Sequence, residues 1–150
     1  MRQDVPVAEI MTKELITLTL TDNLYDAERL FKKHKIRHIP IVKEDKLIGV
    51  LSYSDLLKIS YADVLDDADE LMDVPSVVYD MYSIGQVMAK VVVSSFPTTT
   101  IKKVTEILAK QSFHSIPIVN ENNVLKGIVT TTDLLKYFLN QYNNENIYYQ

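Results

Sequence analysis

The chain has 150 residues, of which 47% are hydrophobic, a formal net charge of -4, and no cysteine or tryptophan. This length and apolar content suit one compact domain or two small halves that share a core, and they exclude a disordered chain. The lack of cysteine excludes disulfides and thiolate metal sites, and it fits a reducing compartment.

The distribution of charge and apolar residues narrows the class of protein further. No lysine or arginine lies between Lys58 and Lys90, whereas seven acidic residues do. Nucleic acid requires a positive stripe, and the sequence has no obvious one, so we expect no nucleic-acid partner. The first residues lack the apolar run of a signal peptide, and no stretch approaches about 18 consecutive apolar residues. We therefore expect a soluble, cytoplasmic protein with no membrane insertion.

The first part of the chain predicts a strand, a helix, two strands and a helix. Glu14–Leu20 is short and β-rich, and the following residues, 21–35, carry apolar residues at helical spacing, with Thr21 or Asp22 as the expected cap. A buried strand follows around "HIPIV", then a polar turn and the strand "KLIGVLS". A second helix is expected to begin near Asp55.

An acidic stretch separates this part from a second one. Apolar residues from Leu57 to Met72 keep a helical stripe, so the helix is expected to extend beyond Ser60, and Pro75 makes further continuation unfavourable. The acidic residues of "DDADELMDV" lack the glycine and the ligand spacing of a calcium loop, which favours a solvated helix face.

The second part repeats the first. "IPIV" at Ile39–Val42 returns at Ile116–Val119, an offset of 77 residues that also relates Met11 to Met88. "GVLSYSDLLK" from Gly49 returns as "GIVTTTDLLK" from Gly127, an offset of 78. The extra residue falls in the polar turn between the strands, where an insertion costs little. We therefore divide the chain into repeat 1 (residues 1–60), an acidic helical linker (61–83), repeat 2 (84–139) and a flexible tail (140–150).

This arrangement resembles a tandem pair of CBS domains, a Bateman module, from about Val7 to Phe138. The motifs that carry the resemblance occur twice and in the same order: "IM" or "VM" before a strand, a hydrophobic residue before "PIV", and G-x-x-[Ser/Thr]-x-x-Asp. The resemblance implies an α/β (α+β) fold of two pseudo-symmetric units packed through their sheets. It also implies a regulatory sensor that binds AMP, ADP, ATP or S-adenosylmethionine in clefts between the units, requires no cofactor, forms a homodimer and signals to an unknown effector protein.

The repeated hydroxyl and carboxylate have a chemical reason to bind such ligands. A carboxylate at a helix start accepts two hydrogen bonds of the kind that a ribose diol offers, and the hydroxyl three residues earlier can reach a phosphate or a ribose oxygen. The glycine lets a neighbouring backbone or a ligand approach closely. The alternative is that Asp55 and Asp133 only cap their helices, shared with Ser54 or Thr132. Capping does not by itself predict why Ser52 and Thr130 stand at the same place before both acids.

The resemblance implies two unequal sites, each drawing on both repeats. One combines Thr130 and Asp133 with Ile36, Arg37, His38, Thr21 and Asp22. The other combines Ser52 and Asp55 with Phe113, His114, Ser115, Thr98 and Thr99.

The two sites differ in the positive charge available for phosphate. Arg37 is always charged and offers a fork of donors, whereas histidine is only partly charged near neutral pH. We therefore expect the Asp133 site to bind phosphorylated nucleotides more tightly than the Asp55 site. The alternatives are that Arg37 and His38 form a solvated strand end and that Phe113 packs in a core.

Neither a catalytic nor a metal function is predicted. The sequence has no G-x-S-x-G motif, and its three histidines are not at ligand spacing on one element. We expect a binding module rather than an enzyme; the rival is a ligand-free scaffold with the same fold. Tyr137, Phe138 and Tyr142 are expected to continue the last helix and to cover a dimer face.

Overall fold

The computed structural model describes residues 4–66, 74–90 and 92–147, with side chains for residues 4–60, 78–90 and 92–144. The chain divides into two compact units, the central unit (Ile16–Val92) and the terminal unit (Met1–Leu15 with Val93–Gln150). The central unit contains α1 (Leu24–His34), β1 (His38–Lys43), β2 (Lys46–Ser52), α2 (Tyr53–Asp66), α3 (Val74–Met81) and α4 (Ile84–Val87). The terminal unit contains a 3-10 turn (Val7–Glu9), α5 (Ile101–Lys110), β3 (Ser115–Val119), β4 (Leu125–Thr130) and α6 (Thr131–Ile147).

Each unit is built around a two-stranded antiparallel hairpin. β1 pairs with β2 and β3 pairs with β4, and each hairpin has a register shift after the "IPI" of its first strand. The mixture of helices and small sheets confirms the predicted fold class. The residues related by the repeat are buried in both units, as the offset predicts: Leu24 and Ile101, Ala27 and Val104, Phe31 and Leu108, Ile39 and Ile116, Leu56 and Leu134.

In the described part of the chain, the strand predicted before each first helix is reduced to a single parallel bridge. Leu18 bridges to Ile41, and Ser95 bridges to Ile118. The chain turns directly after each bridge. The N–H of Thr19 donates to the Asp22 carboxylate at 2.7 Å, and the N–H of Phe96 donates to the Thr99 hydroxyl at 3.1 Å.

The residues that cap the helices follow these turns directly, and the cap of α1 differs from the predicted one. Asn23, rather than Thr21 or Asp22, caps α1, because its side chain accepts from the N–H of Asp26 at 2.9 Å while the Asp26 carboxylate accepts from the N–H of Asn23 at 3.2 Å. Thr100 caps α5 by accepting from the N–H of Lys103 at 3.1 Å. Asp22 and Thr99 instead stabilise the turns that precede the caps.

The opening segment of each repeat packs on the hairpin of the other repeat. The N–H of Thr12 donates to the carbonyl of Ile128 at 2.9 Å, and the N–H of Ile128 returns the bond at 3.1 Å. Ala89 exchanges the same pair of bonds with Val50, at 2.9 and 3.1 Å. The compact units therefore differ from the sequence repeats, because residues 4–15 lie in the terminal unit and residues 84–90 lie in the central unit.

A methionine and a glycine meet at both of these contacts. A Cβ atom added to Gly49 would stand 2.6 Å from the Met88 sulfur and 2.9 Å from the Ala89 carbonyl oxygen. One added to Gly127 would stand 2.7 Å from the Met11 sulfur and 3.0 Å from the Thr12 carbonyl oxygen. The glycine of the repeated motif is thus required for the approach of the chain's own backbone and methionine.

Among the described residues of the terminal unit, α3 has no counterpart. It packs on α1 and α2 through Tyr79, which is 5% exposed and meets the Tyr25 ring edge-on at 5.2 Å. Burial raises the pKa of Tyr79, and the nearby Glu28 carboxylate adds to the increase. The residue of α6 equivalent to Ser60 of α2 is Phe138, which packs on its own core. The equivalent position of α2 carries a hydroxyl, which donates to the Leu56 carbonyl at 3.0 Å.

The segment predicted as the linker contains the end of α2 and all of α3. α2 ends at Asp66, residues 67–73 lie outside the described residues, and α3 begins at Val74 with Pro75 in its first turn, where proline is tolerated. α6 continues to Ile147, so most of the segment predicted as a tail is helical. Within the described residues, no helix combines the length and the apolar character that crossing a bilayer requires.

We predict that Gly49→Ala and Gly127→Ala each lower the free energy of unfolding by about 1–3 kcal/mol, because the new methyl group meets backbone as well as sulfur. Gly85→Ala is the matched control, since its nearest atom is the flexible end of Leu20 at 3.3 Å. Urea unfolding measures all three. A loss for Gly85→Ala as large as that for Gly49→Ala would contradict the close-approach explanation.

Candidate functional site

A capping box begins the second helix of each repeat. At α6, the N–H of Asp133 donates to the Thr130 hydroxyl at 3.2 Å, and the N–H and hydroxyl of Thr130 both donate to Oδ2 of Asp133 at 2.9 Å. At α2, the N–H of Asp55 donates to the Ser52 hydroxyl at 3.0 Å, and the N–H of Ser52 donates to Oδ2 of Asp55 at 3.2 Å. Such a box satisfies two backbone donors at the helix start.

This geometry accounts for the repeated spacing without a ligand. A box needs a hydroxyl at the cap and an acceptor three residues later, and both repeats supply this pair. The expectation that capping leaves Ser52 and Thr130 unexplained was therefore wrong. The spacing alone is not evidence of a ligand, and a ligand role has to rest on what surrounds the boxes.

The entry to the first hairpin strand lies beside the box in each unit. In the central unit, the N–H of Tyr53 donates to the Arg37 carbonyl at 2.8 Å, and His38 pairs with Ser52. We call Arg37, His38, Ser52 and Asp55 the central edge.

The terminal unit repeats this arrangement with different side chains. The N–H of Thr131 donates to the His114 carbonyl at 2.9 Å, and Ser115 pairs with Thr130. We call His114, Ser115, Thr130 and Asp133 the terminal edge. The structure therefore brings together, within each unit, the carboxylate of one predicted site and the strand entry of the other predicted site.

The edges differ in exposure and charge. Arg37 and His114 are exposed, His38 is half-buried, and Ser115 is buried. Both carboxylates are half-buried, and among the described residues neither Asp55 nor Asp133 has a hydrogen bond to Oδ1. Each box thus uses one carboxylate oxygen and leaves the other able to accept a donor from a ligand.

Ile36 and Phe113 are parts of the cores. Ile36 is partly buried against the central core, and Phe113 is partly buried against the terminal core. For Phe113 this favours the packing alternative. Both side chains therefore have a structural role.

The other four predicted site residues lie away from the edges. Thr21 and Asp22 precede α1, whereas Arg37 and His38 follow it, so the length of the helix, about 16 Å, separates the two pairs. In the same way, α5 separates Thr98 and Thr99 from His114 and Ser115. The structure does not bring these threonines and Asp22 together with the strand entries of their own unit.

The residues before each parallel bridge lie closer to the edges. Since Leu18 pairs in parallel with Ile41, the preceding Ile16 and Thr17 run beside β1 towards its start at His38. Val93 and Ser94 stand in the equivalent place before Ser95. The sequence analysis did not name them, although the hydroxyls of Thr17 and Ser94 fall at the same offset of 77 and could have identified them.

The described residues give no indication of a metal centre. No group of three or more histidine, aspartate or glutamate side chains among them could hold a metal ion. The chemistry of the edges is therefore that of hydrogen-bond acceptors beside an arginine or a histidine.

Comparison with known proteins decides the family. The sequence model of the CBS domain matches residues 7–62 and again residues 84–140. The chain belongs to the CBS domain family. As a CBS pair it is similar to protein MJ1225 of Methanocaldococcus jannaschii, with 26% identity over 132 residues, which is 88% of this chain and 46% of that protein. The chain thus spans less than half of that relative.

Solved structures agree with this assignment. The crystal structure of MJ1225 superposes with a TM-score of 0.79 at 25% identity and covers 92% of this chain and 49% of that one. The structure of CBSX2 in complex with AMP has a TM-score of 0.75 at 20% identity and covers 92% and 98%. The CBS domain pair of protein MJ0100, in complex with 5′-methylthioadenosine and S-adenosyl-L-methionine, has a TM-score of 0.69 at 24% identity and covers 89% and 99%. At such identities, the last two similarities establish the fold.

We predict that Thr130→Ala lowers the free energy of unfolding by about 1 kcal/mol, because it removes the cap acceptor of α6. Thr130→Ser retains the hydroxyl and should lose much less. Thr132→Ala, an exposed change in the first turn of the same helix, is the matched control. Thermal unfolding by circular dichroism compares the three, and equal effects of Thr130→Ala and Thr132→Ala would contradict the capping role.

Proposed function

We propose that this CBS pair is a regulatory module that binds an adenosine-containing ligand, with AMP, ADP and ATP ahead of S-adenosylmethionine, and passes the bound state to a partner protein. The observation that carries the proposal is the half-buried carboxylate at each edge, whose Oδ1 atom the capping box leaves without a partner among the described residues. A ribose diol supplies the two donors that such a carboxylate can accept. The bound AMP of CBSX2, and the two adenosine compounds of MJ0100, support this class of ligand.

The composition of each site remains a proposal. The family resemblance implies that Asp133 shares a ligand with Arg37 and His38, and that Asp55 shares one with His114 and Ser115. Each set takes residues from both compact units. The basic side chains favour phosphate-bearing ligands, and Arg37 favours them more strongly than His114 does.

Binding energy is the means by which such a module would signal. A ligand that binds only one arrangement of the protein stabilises that arrangement by RT ln(1 + [L]/Kd), about 2.7 kcal/mol at a hundredfold excess over Kd. That is enough to shift a two-state equilibrium substantially. We propose a binding role without catalysis, in which the effect passes to an effector protein that the sequence does not name.

A thermal-shift panel with AMP, ADP, ATP and S-adenosylmethionine tests the proposal. We predict that at least one adenine nucleotide raises the melting temperature, and that Asp55→Ala or Asp133→Ala weakens its affinity about tenfold or more, the usual size of a lost charge-assisted hydrogen bond.

In the same panel with ATP, Arg37→Ala should reduce the shift more than His114→Ala. Equal reductions, or none for Arg37→Ala, would contradict the ranking of the two sites.

A matched control separates binding from helix capping. Asn23→Ala breaks the capping box of α1, which lies at the other end of that helix from Arg37. It should lower the melting temperature of the free protein and leave the ligand-induced shift intact. If none of the four compounds shifts the wild-type protein, the ligand-free scaffold becomes the better description.

A further inference from the structure

Two methionines hold equivalent structural positions in the two units. The sequence has no cysteine, so the thioethers of its five methionines are its only sulfur atoms. The N–H of Met11 donates to the Val7 carbonyl and that of Met88 donates to the Ile84 carbonyl, both at 2.9 Å. Both side chains are half-buried and pack against the core of their own unit. Each sulfur therefore supports the fold and still lies within reach of a small solute.

The sulfur is the methionine atom that comes nearest to each hairpin glycine. It lies 2.6 Å from the position that a Cβ atom of Gly49 would take, and 2.7 Å from that of Gly127. Oxidation of methionine to the sulfoxide adds an oxygen to this same atom and makes an apolar side chain polar. The gap at the glycine has no room for one further carbon atom, so the larger sulfoxide fits poorly in the contact.

The backbone around each contact offers the sulfoxide oxygen no free donor. The N–H groups of Thr12 and Ile128 donate to each other's carbonyls, and those of Ala89 and Val50 do the same, all at 2.9–3.1 Å. The backbone atoms nearest the two Cβ positions are carbonyl oxygens, those of Thr12 and Ala89, which are acceptors. A polar oxygen buried without a donor is unfavourable, so the oxidised side chain is more stable outside the contact, in water.

We propose that Met11 and Met88 are reversible oxidation sites, and that their oxidation releases the opening segment of each repeat from the hairpin on which it packs. The oxidant is a hydroperoxide. Its O–O bond breaks as the S–O bond forms, and the proton of the transferred oxygen moves to the leaving hydroxide or alkoxide to give water or an alcohol. The sulfur loses two electrons and the peroxide gains them. A sulfoxide reductase restores the thioether while two thiols become a disulfide and the oxygen leaves as water.

The released contact lies on the strand that leads to the capping box. Gly49 stands three residues before Ser52, and Gly127 stands three residues before Thr130. Oxidation would thus loosen the strand that ends in the box of the same unit. This gives a chain without cysteine a response to peroxide that is separate from any ligand.

Hydrogen peroxide, added to the whole chain without urea or nucleotide, tests this inference independently of the proposed ligand binding. Peptide mass spectrometry locates the added oxygen, and hydrogen exchange follows the N–H groups of Val50 and Ile128, which bond to the opening segments. We expect oxygen on Met11 and Met88, and exchange at both N–H groups about tenfold faster or more. Sulfoxide reductases for both epimers, with dithiothreitol, should restore the slow exchange.

Leucine variants are the matched controls, because leucine keeps the apolar volume of methionine and has no sulfur to oxidise. In Met11→Leu/Met88→Leu, peroxide should still oxidise Met81, which is 64% exposed, and leave the exchange unchanged. The single variants provide the same comparison if the double variant does not fold: Met88→Leu should protect Val50 and leave Ile128 responsive.

Four results would each overturn the inference. Met11 and Met88 could stay unoxidised until urea unfolds the protein, or their oxidation could leave the exchange slow. The exchange could stay fast after the reductases remove the oxygen, or the leucine variants could respond to peroxide as strongly as the wild type.

Discussion

The contact between a methionine and a hairpin glycine is the constraint on which this structure depends. Met88 lies against Gly49 and Met11 lies against Gly127, in both cases with a pair of backbone hydrogen bonds one residue further along. Any side chain on either glycine would occupy the space of the sulfur and of a carbonyl oxygen. Each methionine belongs to the opposite repeat from its glycine, so each hairpin packs against a segment that the other repeat supplies.

Because of this exchange, the stability of each repeat depends on the other repeat. Removing the opening segment of either repeat would expose the glycine-bearing strand of the other and leave its backbone groups without partners. The same glycine begins the motif that ends, six residues later, in the carboxylate of the capping box. One short stretch therefore holds the opening segment in place, starts the following helix and presents the remaining carboxylate oxygen at the edge of the unit.

The sequence predicted the parts of the fold that depend on local pattern. The offset of 77 identified equivalent core positions, such as Leu24 and Ile101, because burial follows the apolar periodicity of each element. The same offset relates Met11 to Met88 but cannot say which hairpin each one reaches, since both hairpins carry a glycine. The predicted first strands failed for a different reason. Their β-propensity is real, but turns that Asp22 and Thr99 stabilise bend the chain away directly after each bridge.

The site was predictable to a similar extent. The sequence identified the strand entries and the hydroxyl and carboxylate of each box but not the box itself, and the structure joins strand entry and box within each unit through bonds such as that from the Tyr53 N–H to the Arg37 carbonyl. The family resemblance grouped Thr21 and Asp22 with Arg37, but the length of α1 separates the two. Which carboxylate shares a ligand with Arg37 stays a prediction.

Engineered disulfides test the exchange of opening segments most directly, because the chain contains no cysteine of its own. Thr12 and Ile128 form a hydrogen-bonded antiparallel pair, whose Cα atoms are typically about 5.5 Å apart, within the range of a disulfide. We predict that Thr12→Cys with Ile128→Cys oxidises to an intramolecular disulfide, measured by free-thiol titration after denaturation. Thr12→Cys with Val50→Cys, which would link the segment to the hairpin of its own repeat, should remain reduced, because Val50 pairs with Ala89. A disulfide in the second variant and none in the first would contradict the exchange.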